Sequence, residues 1–458
     1  MNFSVFKSII FMMFLIPVTL IFGCSSAQKA AEPCDQEFKS VNINLSKYMS
    51  QENRPEQSKD IALALAISGG GHRAANFGVG IMIGLEEIGL LKEVDYISTV
   101  SGGGFAAGAY MTSLIQHVKD NKLDRNLYSF KKVIYNRDDV TFLRNLERSY
   151  TSALFWGLLN PINWFSSRDR GDVLEKKIDN RVLCYDQRGK SLLLEDVFIP
   201  VEQSGTVDKK IIVPYWIPNA TIYGNGAIFP FTPDTIKDYK ISEYVHRYWS
   251  EKTLSNEYKF PYALAVKASA NFPIAVPATS LKCNCYINKD NDFSYLQLLD
   301  GGLTDNTGAS TALQLLKKDK SKKKYLIVVD AFNGDTSPYV TEGGAPNEFA
   351  TAIRIMNIGV DSNRNKIRNM IKKHNYNENN YCYFDLDSLK KSDVDKIRKA
   401  VDAIVKEYGY DDVIANPDRD PRKVNTDFAC TRYEQLLLIE AGRYLVRNNK
   451  NKLLKFNQ

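Results

Sequence analysis

Ala62-Leu63-Ala64-Leu65-Ala66-Ile67-Ser68-Gly69-Gly70-Gly71-His72-Arg73 passes from six apolar residues straight into three glycines. An apolar run of that length reads as a buried strand, and the glycines break it and open a helix. Two more segments repeat the pattern. Tyr96-Ile97-Ser98-Thr99-Val100 enters Ser101-Gly102-Gly103-Gly104, and Tyr295-Leu296-Gln297-Leu298-Leu299 enters Asp300-Gly301-Gly302. An amide nest, a hydroxyl and a carboxylate are thereby expected at one edge of a sheet. Between the strands lie helical patterns: Phe77, Ile81, Leu85 and Ile88 recur at three to four residues within Ala74 to Leu91, and the small-residue run Phe105 to Tyr110 follows Ser101. This alternation predicts a parallel sheet covered by helices.

At 458 residues and 44% hydrophobic content, the chain has enough apolar material for a sizeable core. Further strands are expected at 325–330 and at Tyr381 to Phe384, with helices near 262–270, 346–373, 392–408 and 431–447. The stretch 112–210 is less regular and reads as a helical insertion. Within it, the aromatic run Phe155 to Phe165 reads either as buried helix or as an acyl-chain groove or membrane-dipping lid. The net charge of +7 is modest, and the dense basic run Lys317 to Lys324 reads as a solvated loop more readily than as a headgroup patch. It lacks the interleaved aromatics of a nucleic-acid site, so no nucleic-acid partner is expected.

The N-terminus is of a different kind. Lys7 precedes fourteen uncharged residues, Ile9 to Phe22, interrupted by Pro17. That is short of the roughly 20 residues that span a bilayer, so residues 1–23 read as a secretory signal. Ile21-Phe22-Gly23-Cys24 resembles a bacterial lipobox, which makes Cys24 the expected point of lipidation and membrane anchoring; an ordinary signal peptide with a chance cysteine is the alternative. Ser25 and Ser26 behind it point to the outer membrane of a Gram-negative cell, facing the periplasm or the exterior. Residues 24–58 are polar and read as a tether, and 59–450 as one large domain. Cys34, Cys184, Cys283, Cys285, Cys382 and Cys430 allow up to three disulfides in an exported chain, with no pairing deducible. No metal is expected: Cys283 and Cys285 lack a second close Cys/His pair, and Asp290-Asn291-Asp292 lacks the glycine of a calcium loop.

Acyl transfer needs a nucleophile in a sharp exposed turn, a base, and amides aimed at the oxyanion. Ser101, between a strand and a glycine-led helix, fits the first role, although Thr99 stands where the usual G-x-S-x-G elbow has its first glycine. Gly69, Gly70, Gly71 and Gly102 are the candidate oxyanion amides. Arg73 is a candidate to brace that loop or to meet a phosphate. Asp300 is the candidate base, since no histidine adjoins either motif; the order Ser101, Asp300, His374 leaves a Ser-Asp-His triad as an alternative. Gly69-x-Gly71-x-x-Ala74 also fits a dinucleotide fingerprint, but Glu93 and Asp95 lie before the second strand rather than at its end, so no cofactor is expected.

Taken together, Gly69-Gly70-Gly71-His72-Arg73, Thr99-Val100-Ser101-Gly102-Gly103 and Asp300-Gly301-Gly302 resemble the three motifs of the patatin-like phospholipases. Ala268-Ser269-Ala270 with Phe272-Pro273 resembles the block such proteins carry before the aspartate. The resemblance spans about 60–335, and more weakly the closing segments 336–447. It implies a three-layer α/β/α fold with helices on both sheet faces and a helical insertion. It further implies a Ser101–Asp300 dyad without histidine that cleaves lipid esters through an acyl-serine, with membrane lipids as substrate. A catalytically silent lipid- or protein-binding member, and an acyltransferase, are the readings beside it.

Overall fold

The computed structural model of the chain describes residues 60–119, 128–135, 142–147, 170–183, 191–198, 201–202, 210–211, 213–246, 250–273, 276–283, 294–331, 348–410, 413, 416, 418–426 and 430–457. Cys24, the tether and the aromatic run Phe155 to Phe165 lie outside them.

Strand β1 (Ile61–Ile67) is buried over all but its first residue, as its unbroken apolar composition requires. The other strands of its sheet are β2 (Tyr96–Val100), β3 (Tyr215–Ile222), β4 (Ile228–Pro230), β5 (Ile241–His246), β6 (Ser250–Thr253), β7 (Thr279–Cys283), β8 (Ser294–Asp300), β9 (Lys323–Asp330) and β10 (Tyr381–Asp385). They form one ten-stranded sheet in the order β10-β9-β1-β2-β3-β8-β7-β5-β6, with β4 paired to β3. The helices that matter for the site are α1 (Gly71–Glu87), α2 (Gly103–Lys119), α3 (Tyr262–Ser269), α4 (Gly302–Asp305), α5 (Ala309–Lys318), α6 (Glu348–Lys373), α7 (Lys391–Tyr408) and α8 (Arg432–Asn448).

The expectation of a parallel sheet holds for half of it. β10, β9, β1, β2 and β3 run parallel, whereas β8 is antiparallel to β3 and β7, and β7 to β5. Alternating strands and helices precede the parallel strands, but β7 and β8 are joined by a short connection that cannot cross over, so that pair must be antiparallel.

Residue alternation along β2 assigns the helices to layers. Ile67 and Thr99 are cross-strand partners and so share a face. On that face a Cβ on Gly78 of α1 would touch Ile67 at 3.0 Å and Ala106 of α2 at 3.1 Å. Ser98 points the other way and donates to the Gly308 carbonyl, directly ahead of α5, at 2.7 Å. Helices therefore cover both faces, and the fold is the three-layer α/β/α arrangement.

Helix α8 lies outside α1 at a separation only glycine allows: a Cβ on Gly80 would stand 2.1 Å from the Ile439 carbonyl oxygen. The insertion is mainly helical where described, with Phe130–Tyr135, Phe142–Glu147, Arg170–Lys177 and Leu194–Phe198, and ends in a short antiparallel pair of Val201–Glu202 with Lys210–Ile211. Its residues Phe130, Tyr135, Phe142 and Leu174 are buried in the common core. Cys382 is a free, buried thiol, which removes the three-disulfide case.

Candidate active site

Ser101 follows the last residue of β2 and has φ 48°, the left-handed region that a residue with a Cβ rarely enters. Two hydrogen bonds hold it there: its amide donates to Ser269 Oγ at 2.9 Å, and its carbonyl accepts from Gly104 N at 2.9 Å. Gly102 is obligatory, because a Cβ there would lie 2.0 Å from the Gly71 carbonyl oxygen. The loop ahead of α1 and the turn ahead of α2 are thus in direct backbone contact.

Asp300 reaches the same place from the opposite direction. Val100 pairs with Asn219 on β3, and the next β3 residue, Ala220, pairs with Asp300 on the antiparallel β8. The end of β8 therefore arrives level with Ser101, two strands over from β2 with β3 between them. Asp300 is buried, and Gly302 N donates to its Oδ1 at 2.8 Å. Burial pushes its carboxyl up from 3.8 to about 6, against the opposing pull of the Gly302 amide and of Ser101, its hydrogen-bonding neighbour. A buried carboxylate poised near neutrality and facing a hydroxyl is suited to take its proton.

A second acid, Asp330, stands at the same sheet edge at the end of β9 but is already engaged. It is fully buried, accepts from Arg364 Nε at 2.8 Å and Nη2 at 2.5 Å, and is hydrogen-bonded by the Tyr383 hydroxyl. Among the described residues no cation pairs with Asp300.

Of the four candidate oxyanion amides, the structure withdraws one. Gly69 N donates to the Asn306 carbonyl at 2.9 Å, so Gly69 is not an oxyanion donor; it closes the loop onto the segment after Asp300. The amides of Gly70, Gly71 and Gly102 donate to no acceptor among the described residues. Gly70 and Gly71 have φ 135° and 56°, both on the side that glycine alone enters freely, and the loop turns sharply there into α1. Neither α1 nor α2 has an acidic residue in its first turn, so the positive ends of both helices act unopposed on this point.

Arg73 is the brace and not a phosphate contact. It is buried, its Nε donates to the Ala331 carbonyl at 2.7 Å, and Nη1 donates to the carbonyls of Arg422 at 2.8 Å and Val424 at 2.6 Å. It ties the start of α1 to the ends of β9 and of the segment before α8. His72 is sealed against Phe105, ring centroids 6.3 Å apart, and burial draws its pKa down to about 3, leaving a neutral imidazole. Thr99 is held at the glycine position of the elbow by its buried hydroxyl, which accepts from Trp216 Nε1 at 2.9 Å.

His374 does not join Ser101. It follows α6, ahead of β10, and Tyr381 at the start of β10 pairs with Leu326, well before the strand ends at Asp330 and Asp385. Tyr381 stands four positions before Asp385, roughly 13 Å down the strand from the catalytic edge, and His374 leads into β10 from that lower end. The basic run is likewise remote, since Lys323 pairs with Ile61 at the opposite edge.

Three residues that sequence reasoning gave no role complete the surroundings. Asn219 Nδ2 donates to Ser98 Oγ at 3.0 Å and to the Thr99 carbonyl at 3.0 Å, and its Oδ1 accepts from Thr311 Oγ1 at 2.6 Å. Asn271 O accepts from Asp300 N at 3.1 Å. Asn306 lies under both glycine loops: a Cβ on Gly69 or Gly302 would meet its Oδ1 at 2.5 or 2.7 Å. Only the pairing of small polar residues with strand positions hinted at this, as in Asn219-Ala220-Thr221.

The family model described as patatin-like phospholipase matches residues 65–313, just over half of the chain and a span that holds Gly69 to Gly71, Ser101 and Asp300. No curated protein matches the sequence. Among solved structures, human GIVD cytosolic phospholipase A2 is similar at 10% identity and a TM-score of 0.39, over 90% of this chain and 62% of its own. The same human protein in complex with methyl gamma-linolenyl fluorophosphonate gives 10% and 0.41, over 90% and 61%. VipD from Legionella pneumophila gives 12% and 0.27, over 84% and 67%. The chain thus spans about 62% of the length of the human structures.

Proposed function

The chain belongs to the patatin-like phospholipase family, and from that premise we propose that it hydrolyses carboxylic esters of membrane lipids through a Ser101–Asp300 dyad. The observation that carries the reading is the pairing of Ser101, held at φ 48°, with a buried Asp300 whose carboxyl titrates at about 6. Asp300 takes the Ser101 proton as Oγ attacks the ester carbonyl carbon. The amides of Gly70, Gly71 and Gly102, reinforced by the two helix N-termini, receive the charge on the carbonyl oxygen. Collapse of the tetrahedral species breaks the ester bond, and the leaving alcohol takes the proton from Asp300. Water then attacks the acyl-serine with Asp300 again as base, the fatty acid departs, and the proton returns to Ser101. An alcohol in place of water turns the second half into acyl transfer.

Anchoring belongs to the same proposal. Ile21-Phe22-Gly23-Cys24 supports lipidation at Cys24 and residence in the cell envelope; loss of radiolabelled palmitate from Cys24→Ala, with export retained, is the expected outcome. The chemistry is tested by intact-mass detection of fluorophosphonate labelling. A single adduct on wild type that is absent from Ser101→Ala and Asp300→Asn is expected. No adduct on folded wild type turns the reading to a silent, lipid-binding member.

A further inference from the structure

Ser269 ends α3 and is fully buried, yet its hydroxyl and its carbonyl each hold one arm of the dyad. Its Oγ accepts from Ser101 N at 2.9 Å and donates to the Asn219 carbonyl at 2.5 Å. Its own carbonyl accepts from Gly301 N at 3.2 Å, and two residues on, the Asn271 carbonyl accepts from Asp300 N at 3.1 Å. The segment 269–271 therefore touches the backbone of the nucleophile on one side and of the base on the other. Helix α3 is itself fixed on β3, where Tyr262 stacks on Trp216 at 4.6 Å and its hydroxyl donates to the Trp216 carbonyl at 2.8 Å.

We propose that Ser269 is the positioning residue that holds Ser101 in its left-handed turn and sets its distance from Asp300; the assignment rests on the dyad reading above. The position calls for a group that accepts and donates at once, which a hydroxyl does and a methyl does not. Without it the Ser101 amide and the Asn219 carbonyl lose the bonds that Ser269 supplies, and only the Gly104 amide on the Ser101 carbonyl still opposes relaxation of φ toward negative values. The same bond keeps the Ser101 amide out of the oxyanion nest, leaving that task to its glycine neighbours. Buried as it is, Ser269 touches no substrate, so its effect falls on the acylation step and not on binding.

The test compares wild type, Ser269→Ala and Ser269→Thr in the full chain. Acylation by a fluorophosphonate is expected to slow about 100-fold in Ser269→Ala, the order expected for a misplacement of about 1 Å. The saturating probe concentration is expected to stay within about twofold and the acid limb of the pH profile to stay near 6. Ser269→Thr, which keeps the hydroxyl, is expected to recover at least about tenfold. Where Ser269→Ala does not fold, Ser269→Cys keeps the volume with a far weaker hydrogen bond and takes its place.

Hydrogen exchange at the Ser101 amide reads the bond whether or not the protein is an enzyme, and is expected to accelerate in Ser269→Ala while that of Val100 does not. Wild-type acylation or unchanged Ser101 exchange in Ser269→Ala overturns the assignment. So does a loss that Thr does not recover, or one accompanied by a displaced pH limb. Failure of wild type to acylate instead overturns the dyad reading itself.

Discussion

Replacing Asp300 by Asn removes the charge from the site while keeping its shape. Burial is the main cause that lifts this carboxyl from 3.8 to about 6, with the Gly302 amide and Ser101 pulling the other way. The folded protein then holds the proton more tightly than the unfolded chain does, so stability falls as the pH rises from about 4 through about 6. At about 1.4 kcal/mol per pH unit, the interval from 3.8 to about 6 corresponds to about 3 kcal/mol. The full penalty is present above pH 7, and below the unfolded value both states are protonated and it disappears. Asn retains the oxygen that accepts from Gly302 N at 2.8 Å. Asp300→Asn is therefore expected to be inactive and more stable than wild type by up to about 3 kcal/mol at pH 7.5, with the gain shrinking toward zero near pH 4. Urea unfolding across that pH range measures it. A variant no more stable at pH 7.5, or one whose advantage is the same at pH 4, would refute the burial argument.

The rate of Ser101 acylation is expected to rise with pH around a midpoint near 6 and to level off above neutrality, because Asp300 must be ionised to act as base; a flat profile from pH 5 to 8 speaks against that role. Thr99→Gly restores the usual elbow residue but leaves Trp216 Nε1 buried without its acceptor, so a loss of about 1–3 kcal/mol by urea unfolding, with no gain in acylation, is expected. Two alanine substitutions should differ in sign. Gly80→Ala drives a Cβ against the Ile439 carbonyl and is expected to cost about 1–3 kcal/mol. Gly359→Ala, on α6 with open space around it, is expected to stabilise by about 0.5–1 kcal/mol.

What was legible in the sequence follows from range. β1 and β2 are buried runs ended by glycine, so their strands, the Ser101 turn and the helices behind them could be read locally, and the observed bounds of β2 are those expected. Strand direction is not a local property: nothing in Tyr295 to Leu299 says that β8 enters the sheet antiparallel, and that reversal is what brings Asp300 beside Ser101. Consecutive glycines announced a nest of amides but not that the Asn306 carbonyl, more than 200 residues away, occupies that of Gly69. Arg73 read equally as a brace or a phosphate contact because its partners are backbone carbonyls of residues 331, 422 and 424, which no side-chain pattern discloses. The role of Asn219 was hidden for the same reason, and Ser269 stood out only as part of a block resembling the family's: small polar residues in apolar segments disclose no role until the network they complete is seen.

The place of β9 in the sheet bears on how the chain is made. β1 is flanked by β2, which follows closely, and by β9, whose pairing residues lie 262 positions downstream, as Ile61 to Lys323 marks. A nascent chain long enough to contain both Ser101 and Asp300 therefore still presents β1 as an open apolar edge, a template for intermolecular pairing. α1 waits longer still, since its glycine face is covered only when α8 has emerged. The segment 65–313 holds the reactive groups but cannot close the sheet around them. Translation must proceed beyond it before the oxyanion loop has both its walls, and a chain cut at that boundary should aggregate rather than fold to a smaller enzyme.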